Sequence, residues 1–367
     1  MTHRAQPRMH RREFLRGAAA SGVAALSAAS CALSGASRQA SAAREIMTVT
    51  GPIAARDLGF TLAHEHVVVD FIGADRVLPE RLDAARAFET ALPHLQRLKS
   101  RGCQSLIECT PAFIGRNVAL LKRLSEASGV QIVTNTGYYG AVDNKYLPPH
   151  AFVESADDLA QRWLKEFAEG IDGTGIRPGF LKLGVGGGKL PPLHQKLLRA
   201  AARVHRAVGL PIAVHTGDGA AALDELRILG EENVPASALI WVHAQNDPGP
   251  IQIQAARAGA WISLDGVSQA PGNLARYRKF LLDLKHEGLL GRVLVSHDDG
   301  WSVEGRESAQ PLKLFGNGNP EPYSTVFEKL VPLLRESGFA ETDLATLFVA
   351  NPAGAFAIRA MASTLSA

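Results

Sequence analysis

The sequence predicts an α/β protein of the (β/α)8 TIM-barrel class with a parallel eight-stranded core, and three observations carry that prediction. Short apolar runs recur eight times, at residues 60–64, 105–109, 131–136, 179–183, 211–215, 238–243, 260–264 and 292–296. Between them lie longer stretches, at 84–101, 117–128, 155–170, 193–208, 219–229 and 274–287, whose apolar residues recur every three or four positions. That alternation of strand and helix periods describes parallel strands covered by crossover helices. The third observation concerns the main rival, an open doubly wound sheet: no glycine-rich dinucleotide turn follows the first strand, which favours the barrel.

The elements belong to one domain, residues 43–367, preceded by a segment of different composition. Residues 1–42 hold six arginines (Arg4, Arg8, Arg11, Arg12, Arg16 and Arg38) against the single Glu13. Without that surplus of five positive charges the net charge of +3 becomes −2. The body therefore lacks the basic stripe that follows a phosphate backbone, and nucleic acid is not expected as a partner.

Arg11-Arg12-Glu13-Phe14-Leu15-Arg16 reads as a twin-arginine motif, and an apolar run rich in Ala and Ser follows at 17–35. Ala40-Ser41-Ala42 supplies the small residues that a signal cleavage site needs. The expectation is twin-arginine export to the periplasm or beyond, with a disordered basic tail as the alternative. The run is too weakly apolar for a stable membrane span. Cys31 follows Ala28-Ala29-Ser30, without the large aliphatic residue that lipidation favours. Cys103 and Cys109 bracket the second strand, where roughly 20 Å of extended chain keeps them from bridging, so two buried free thiols are expected.

The chemistry lies where the strands end. His64 and His66 close the first strand in Leu62-Ala63-His64-Glu65-His66, and their spacing of two puts both rings on one face. Lys182 closes the fourth strand, His215 the fifth and His243 the sixth, and Asp298 follows the eighth in Ser296-His297-Asp298-Asp299. The C-terminal rim of such a barrel carries its active site. Imidazoles and a carboxylate suit zinc, or manganese, cobalt or iron(II). A lysine among cations is explained by carboxylation, which makes it an anion able to bridge two metals; the plainer reading is a salt bridge inside the barrel. Glu65 faces away from its histidine neighbours and is expected to make a structural hydrogen bond. His297 reads equally as a supporting partner or a solvated neighbour.

Together with Ile114-Gly115-Arg116-Asn117 and Asn351-Pro352-Ala353, these motifs resemble the phosphotriesterase-related branch of the amidohydrolase superfamily over residues 47–357. The resemblance implies two divalent metal ions. His64, His66 and Asp298 would hold the more buried one and His215 and His243 the more exposed one, bridged by carboxylated Lys182 and a hydroxide. It also implies that Asp298 accepts the proton of the attacking hydroxide, and that a homodimer is common.

For the substrate, a tyrosine after strand three (Tyr138 or Tyr139) resembles one that lies near the substrate carbonyl in lactonase-like members. The segment 301–323 reads as the longest loop, offering Trp301 and Phe315 as apolar walls. The run Gly184-Val185-Gly186-Gly187-Gly188-Lys189 lacks the spacing of a phosphate-binding loop. The expected activity is hydrolysis of a small ester or lactone, with phosphotriesters as promiscuous substrates. A metal-dependent amidase and a non-catalytic periplasmic binding protein remain the alternatives.

Overall fold

The computed structural model of the protein describes residues 44–305 and 312–359, all within one compact unit, Arg44–Ala367. The expected export signal and Cys31 lie outside the described residues. An antiparallel hairpin, β1 (Glu45–Thr48) and β2 (Gly51–Ala54), comes first. Next come β3 (Thr61–Glu65), the short β4 (Val68–Val69), β5 (Ser105–Glu108), β6 (Gln131–Val133), β7 (Asn135–Thr136) and β8 (Phe180–Gly184). The chain continues through β9 (Ile212–His215), β10 (Leu239–Val242), β11 (Trp261–Asp265) and β12 (Val293–Ser296).

All eight expected runs are extended, within a residue or two of the predicted bounds. Their pairing differs from the single ladder expected. β3, β5 and β6 form one parallel ladder, and β7 to β12 form a second, in chain order. The break falls at Thr134, inside the run read as one strand at 131–136. Beyond the far edge, the Asp298 amide donates to the His64 carbonyl at 3.1 Å and the His66 amide donates to the Asp299 carbonyl at 2.8 Å. These bonds tie the segment after β12 to the end of β3.

Burial explains the assembly. Ala63, Ile107, Val133, Phe180, Ala213, Ile240 and Leu294, one from each of seven strands, pack into a single cluster with Ile46 of the hairpin and Phe356 near the C-terminus. The opposite strand faces meet the helices. Helix Ala156–Glu169, for example, begins with a capping box between Ser155 and Asp158 and buries Leu159, Ala160 and Trp163. Among the described residues no helix is long and apolar enough to cross a membrane.

The segment 301–323, expected as a loop, contains a hairpin. β13 (Gly300–Val303) pairs antiparallel with β14 (Leu312–Phe315) and parallel with β4. Cys103 and Cys109 are buried free thiols.

Candidate metal centre

Strand periodicity delivers most of the site. Two residues beyond the clustered Phe180 stands Lys182, two beyond Ala213 stands His215, and four beyond Leu294 stands Asp298. The inward face that is apolar at mid-strand thus turns polar at the C-terminal end. β3 needs an additional device. Leu62 pairs with Leu106 and Glu65 with Glu108, so Ala63 and His64 together oppose the single Ile107. This bulge turns Glu65 outward while His64 and His66 face the interior.

The predicted ligand residues converge. His64 Nε2 lies 3.3 Å and His66 Nε2 3.1 Å from Asp298 Oδ1. The His64 and His243 ring centroids are 4.9 Å apart, and those of His215 and His243 4.6 Å. Lys182 is 1% exposed and places its Nζ 5.8 Å from the Tyr139 ring centre. Both His243 and Asp298 adopt left-handed backbone conformations, each with φ of 64°. For residues other than glycine that costs free energy, and such strain concentrates at functional positions.

Electrostatics favour metal binding. Burial lowers His64 and His243 to about 3 and His215 well below its ordinary value, so all three are neutral imidazoles with lone pairs to offer. Burial alone would raise Asp298, but hydrogen bonds from His64 and His66 and the proximity of His64 and His243 outweigh this and hold it as a carboxylate. Burial also lowers Lys182, towards the neutral amine that reacts with carbon dioxide. The His64 Nδ1 has no hydrogen-bond partner, although Asp265 Oδ2 lies 3.5 Å away. The donor set fits two borderline divalent ions.

Supporting groups orient these ligands. The His66 Nδ1 and Thr110 Oγ1 share a 2.8 Å hydrogen bond, and Thr110 donates onward to Glu108. Asp265 accepts from Ser263 Oγ and from the His243 amide, and burial raises it to about 7. Such outer partners fix which ring nitrogen faces the metal. Asp265 was missed because the predicted strand stopped at residue 264; its place at a strand end was the available signal. Nothing in the sequence singled out Thr110.

Glu65 has the structural role expected of it. It accepts from Ser296 Oγ, from the His297 amide and Nδ1, and from the Asp299 amide. His297 is fully buried and is therefore a supporting partner, not a solvated neighbour.

The predicted ligands line a cavity of about 160 Å³. Its apolar walls include Tyr139 and Phe315, both singled out from sequence, and Phe71 and Tyr146, which were not. Tyr138 and Trp301, expected as substrate contacts, lie outside it. Tyr138 alternates to the other side of the strand extension, where its hydroxyl bonds His150 at 2.9 Å and its ring meets Trp163. Trp301 is 5% exposed and packs between His94 and Tyr323. The glycine-rich run is filled from within the protein: the Gly188 amide donates to the Asp218 carboxylate. A Cβ at Gly184 would stand 2.5 Å from the Tyr139 ring.

A parallel α/β sheet whose strand ends gather histidines, an aspartate and a lysine around an apolar cavity defines a metal-dependent hydrolase. The model of the phosphotriesterase family matches residues 44–356, and the chain belongs to this family of binuclear metal hydrolases within the amidohydrolase superfamily. It is 29% identical over 301 residues to the phosphotriesterase homology protein of Escherichia coli K12, covering 81% of this chain and 98% of that protein. It is 26% identical over 352 residues to human N-acetyltaurine hydrolase, covering 84% of this chain and 96% of that one. One similar solved structure is described as "Molecular Engineering of Organophosphate Hydrolysis Activity from a Weak Promiscuous Lactonase Template". It superposes with a TM-score of 0.75 at 32% identity, covering 85% of this chain and 99% of that one.

Proposed function

We propose that this chain is a binuclear metal hydrolase of small, uncharged esters or lactones, with phosphotriesters as promiscuous substrates, built on a closed eight-stranded (β/α)8 barrel. The observation that carries the reading is a set of neutral imidazoles, an ionised aspartate and a buried lysine opening onto an apolar cavity. His64, His66 and Asp298 would hold one ion, His215 and His243 the other, and carboxylated Lys182 would lie between them. When bound, the ions supply an acidified water and polarise the carbonyl or phosphoryl oxygen.

The protein's own groups do the rest. The Asp298 carboxylate receives the proton of the nucleophile. Thr110 bonds the His66 ring, and Asp265 stands 3.5 Å from the His64 Nδ1 and 3.8 Å from the His243 Nδ1, so its charge favours rings turned with the opposite nitrogen inward. The aromatic walls exclude bulk water and select an uncharged substrate, with Tyr139 positioned beside the reacting carbonyl.

An amidase is the second reading, favoured by the similarity to N-acetyltaurine hydrolase. Against it, no arginine among the described residues lines the cavity to receive an anionic amide substrate. A panel of aliphatic lactones, aryl esters, a dialkyl aryl phosphate and N-acyl amides decides the matter through kcat/KM on zinc- or cobalt-loaded protein. Highest efficiency on lactones or esters supports the proposal, and turnover confined to amides replaces it. Metal-loaded protein inert on the whole panel supports the binding-protein reading.

We also propose twin-arginine export to the periplasm, on the strength of Arg11-Arg12 and the apolar run after them. Replacing both arginines by lysine should leave the protein in the cytoplasmic fraction. Unchanged export would contradict this.

A further inference from the structure

The loop after β7 is the most strained segment near the cavity. Val142, Asp143 and Asn144 adopt left-handed backbone conformations in succession, with φ of 57°, 53° and 61°. Asp and Asn tolerate this region, but a β-branched valine does so rarely and at a cost. Val142 is also 57% exposed, so no burial of its own side chain holds it there. Yet Tyr139, Val142 and Tyr146 of this loop all line the metal-site cavity. The turn closes on itself through the Asn144 amide, which donates to the Gly140 carbonyl at 3.2 Å, and a contact from outside the loop adds to that bond.

We propose that His194 is the positioning residue that latches this strained turn, and that it thereby sets the substrate-facing wall formed by Tyr139, Val142 and Tyr146. The proposal rests on the hydrolase reading above for what the wall recognises, an uncharged acyl group.

His194 sits on helix Pro192–Val208, outside the metal ligand set, and is 6% exposed. Its Nε2–H lies 2.9 Å from both the Gly140 carbonyl and Asn144 Oδ1, spanning the turn from one end to the other. Its Nδ1 accepts the Gly186 amide at 3.3 Å. One neutral ring therefore joins the loop after β7 to the glycine run after β8. The fit is close: a Cβ at Gly140 would stand 3.0 Å from His194 Cδ2. The same two segments meet again where the Gly140 amide donates to the Gly184 carbonyl at 2.8 Å. Tyr139 lies on Gly184 there, its ring centroid 5.0 Å from that of His215. Loss of the ring contacts would release the turn without touching a metal ligand.

The test compares metal-loaded wild type with His194→Ala, His194→Gln and Asn144→Gly, using an aryl ester and an aliphatic lactone. His194→Ala should raise KM about tenfold and change kcat by less than about threefold, as expected when a contact that shapes binding is lost. Its metal content should stay at the wild-type level, and amide exchange over residues 140–147 should quicken. Glutamine, which keeps one donor and one acceptor, should restore KM to within about twofold. If the alanine variant does not fold, Asn144→Gly keeps the left-handed backbone while deleting one acceptor, and should raise KM about threefold. Wild-type KM and unchanged exchange at 140–147 in the variant that folds would overturn the latch, as would a fall in kcat alone. Wild type without hydrolysis would sink the hydrolase reading only, because the exchange measurement still judges the latch.

Discussion

Two clusters of histidine and carboxylate stand back to back where β3 meets the segment after β12. His64, His66 and Asp298 form one, and Glu65, His297 and Asp299 form the other. They interleave in sequence, odd against even, so the strand period sends them to opposite faces. The outer cluster is saturated. Besides the bonds to Glu65, His297 Nε2 accepts the Val326 amide, and Asp299 accepts from Asn319 and the Tyr323 amide. The inner cluster instead lines a cavity, with the Nε2 atoms of His64 and His66 turned to Asp298 Oδ1 at 3.3 and 3.1 Å. Residue type alone does not make a metal site; what distinguishes the inner cluster is that its side chains line a cavity, whereas those of the outer cluster are committed to a closed hydrogen-bond network.

The largest effect should come from the inner carboxylate. Asp298→Asn should lower kcat by about 10²–10⁴-fold, the span of a lost general base, with folding preserved by circular dichroism. Near-wild-type turnover would break the functional side of the comparison. Asp265→Asn comes next, because it weakens the orientation of His64 and His243. Metal affinity or activity should drop about 10–100-fold, read by competition with a chelator.

Glu65→Gln probes the outer cluster and should act on stability. Replacing a buried acceptor of four hydrogen bonds should cost about 1–3 kcal/mol in urea unfolding, while metal stoichiometry holds. Loss of metal without loss of stability would mean that the two clusters are not divided as described. Tyr138→Phe should have the smallest consequence, about 1 kcal/mol or less of stability and an unchanged KM, since its hydroxyl bonds His150 away from the cavity.

Acid should reach the protein first through buried neutral histidines remote from the centre. His205 bonds the Leu210 carbonyl, and burial lowers it from its ordinary 6.5. The unfolded chain therefore takes up a proton that the folded state resists, so stability falls as pH drops below about 6.5 and levels off past the lowered value. Urea midpoints at falling pH should show this decline, shallower in His205→Gln. An equal slope in the variant would remove His205 from the explanation.

Much of the centre was legible because it obeys a strand period that sequence displays directly. Phe180 to Lys182 and Ala213 to His215 are ordinary two-residue steps from core to rim. The bulge at Ala63–His64 was not legible, since it depends on pairing with Ile107, a partner more than forty residues away. Nor was the ladder break at Thr134, which lies inside a run at 131–136 with no Gly or Pro to mark an interruption. The cavity walls were harder still. Phe71, Tyr139, Tyr146 and Phe315 come from three separate connections, and only the folded chain links their rings in a series with neighbouring centroids 5.3–6.2 Å apart. Adjacent Tyr138 and Tyr139 show the limit well: composition cannot say which of two neighbours faces inward, and the one on the Gly184 side does.

The central claim, that the inner cluster together with His215, His243 and Lys182 binds two metal ions and hydrolyses an ester bond, is tested most directly by elemental analysis of the purified protein. Wild type and Lys182→Ala should be reconstituted with zinc and assayed on the same lactone samples. The account predicts about two ions per wild-type chain, with metal and turnover lost together in the variant. Wild type that retains no metal after reconstitution, or a variant that keeps both ions and full turnover, would contradict it.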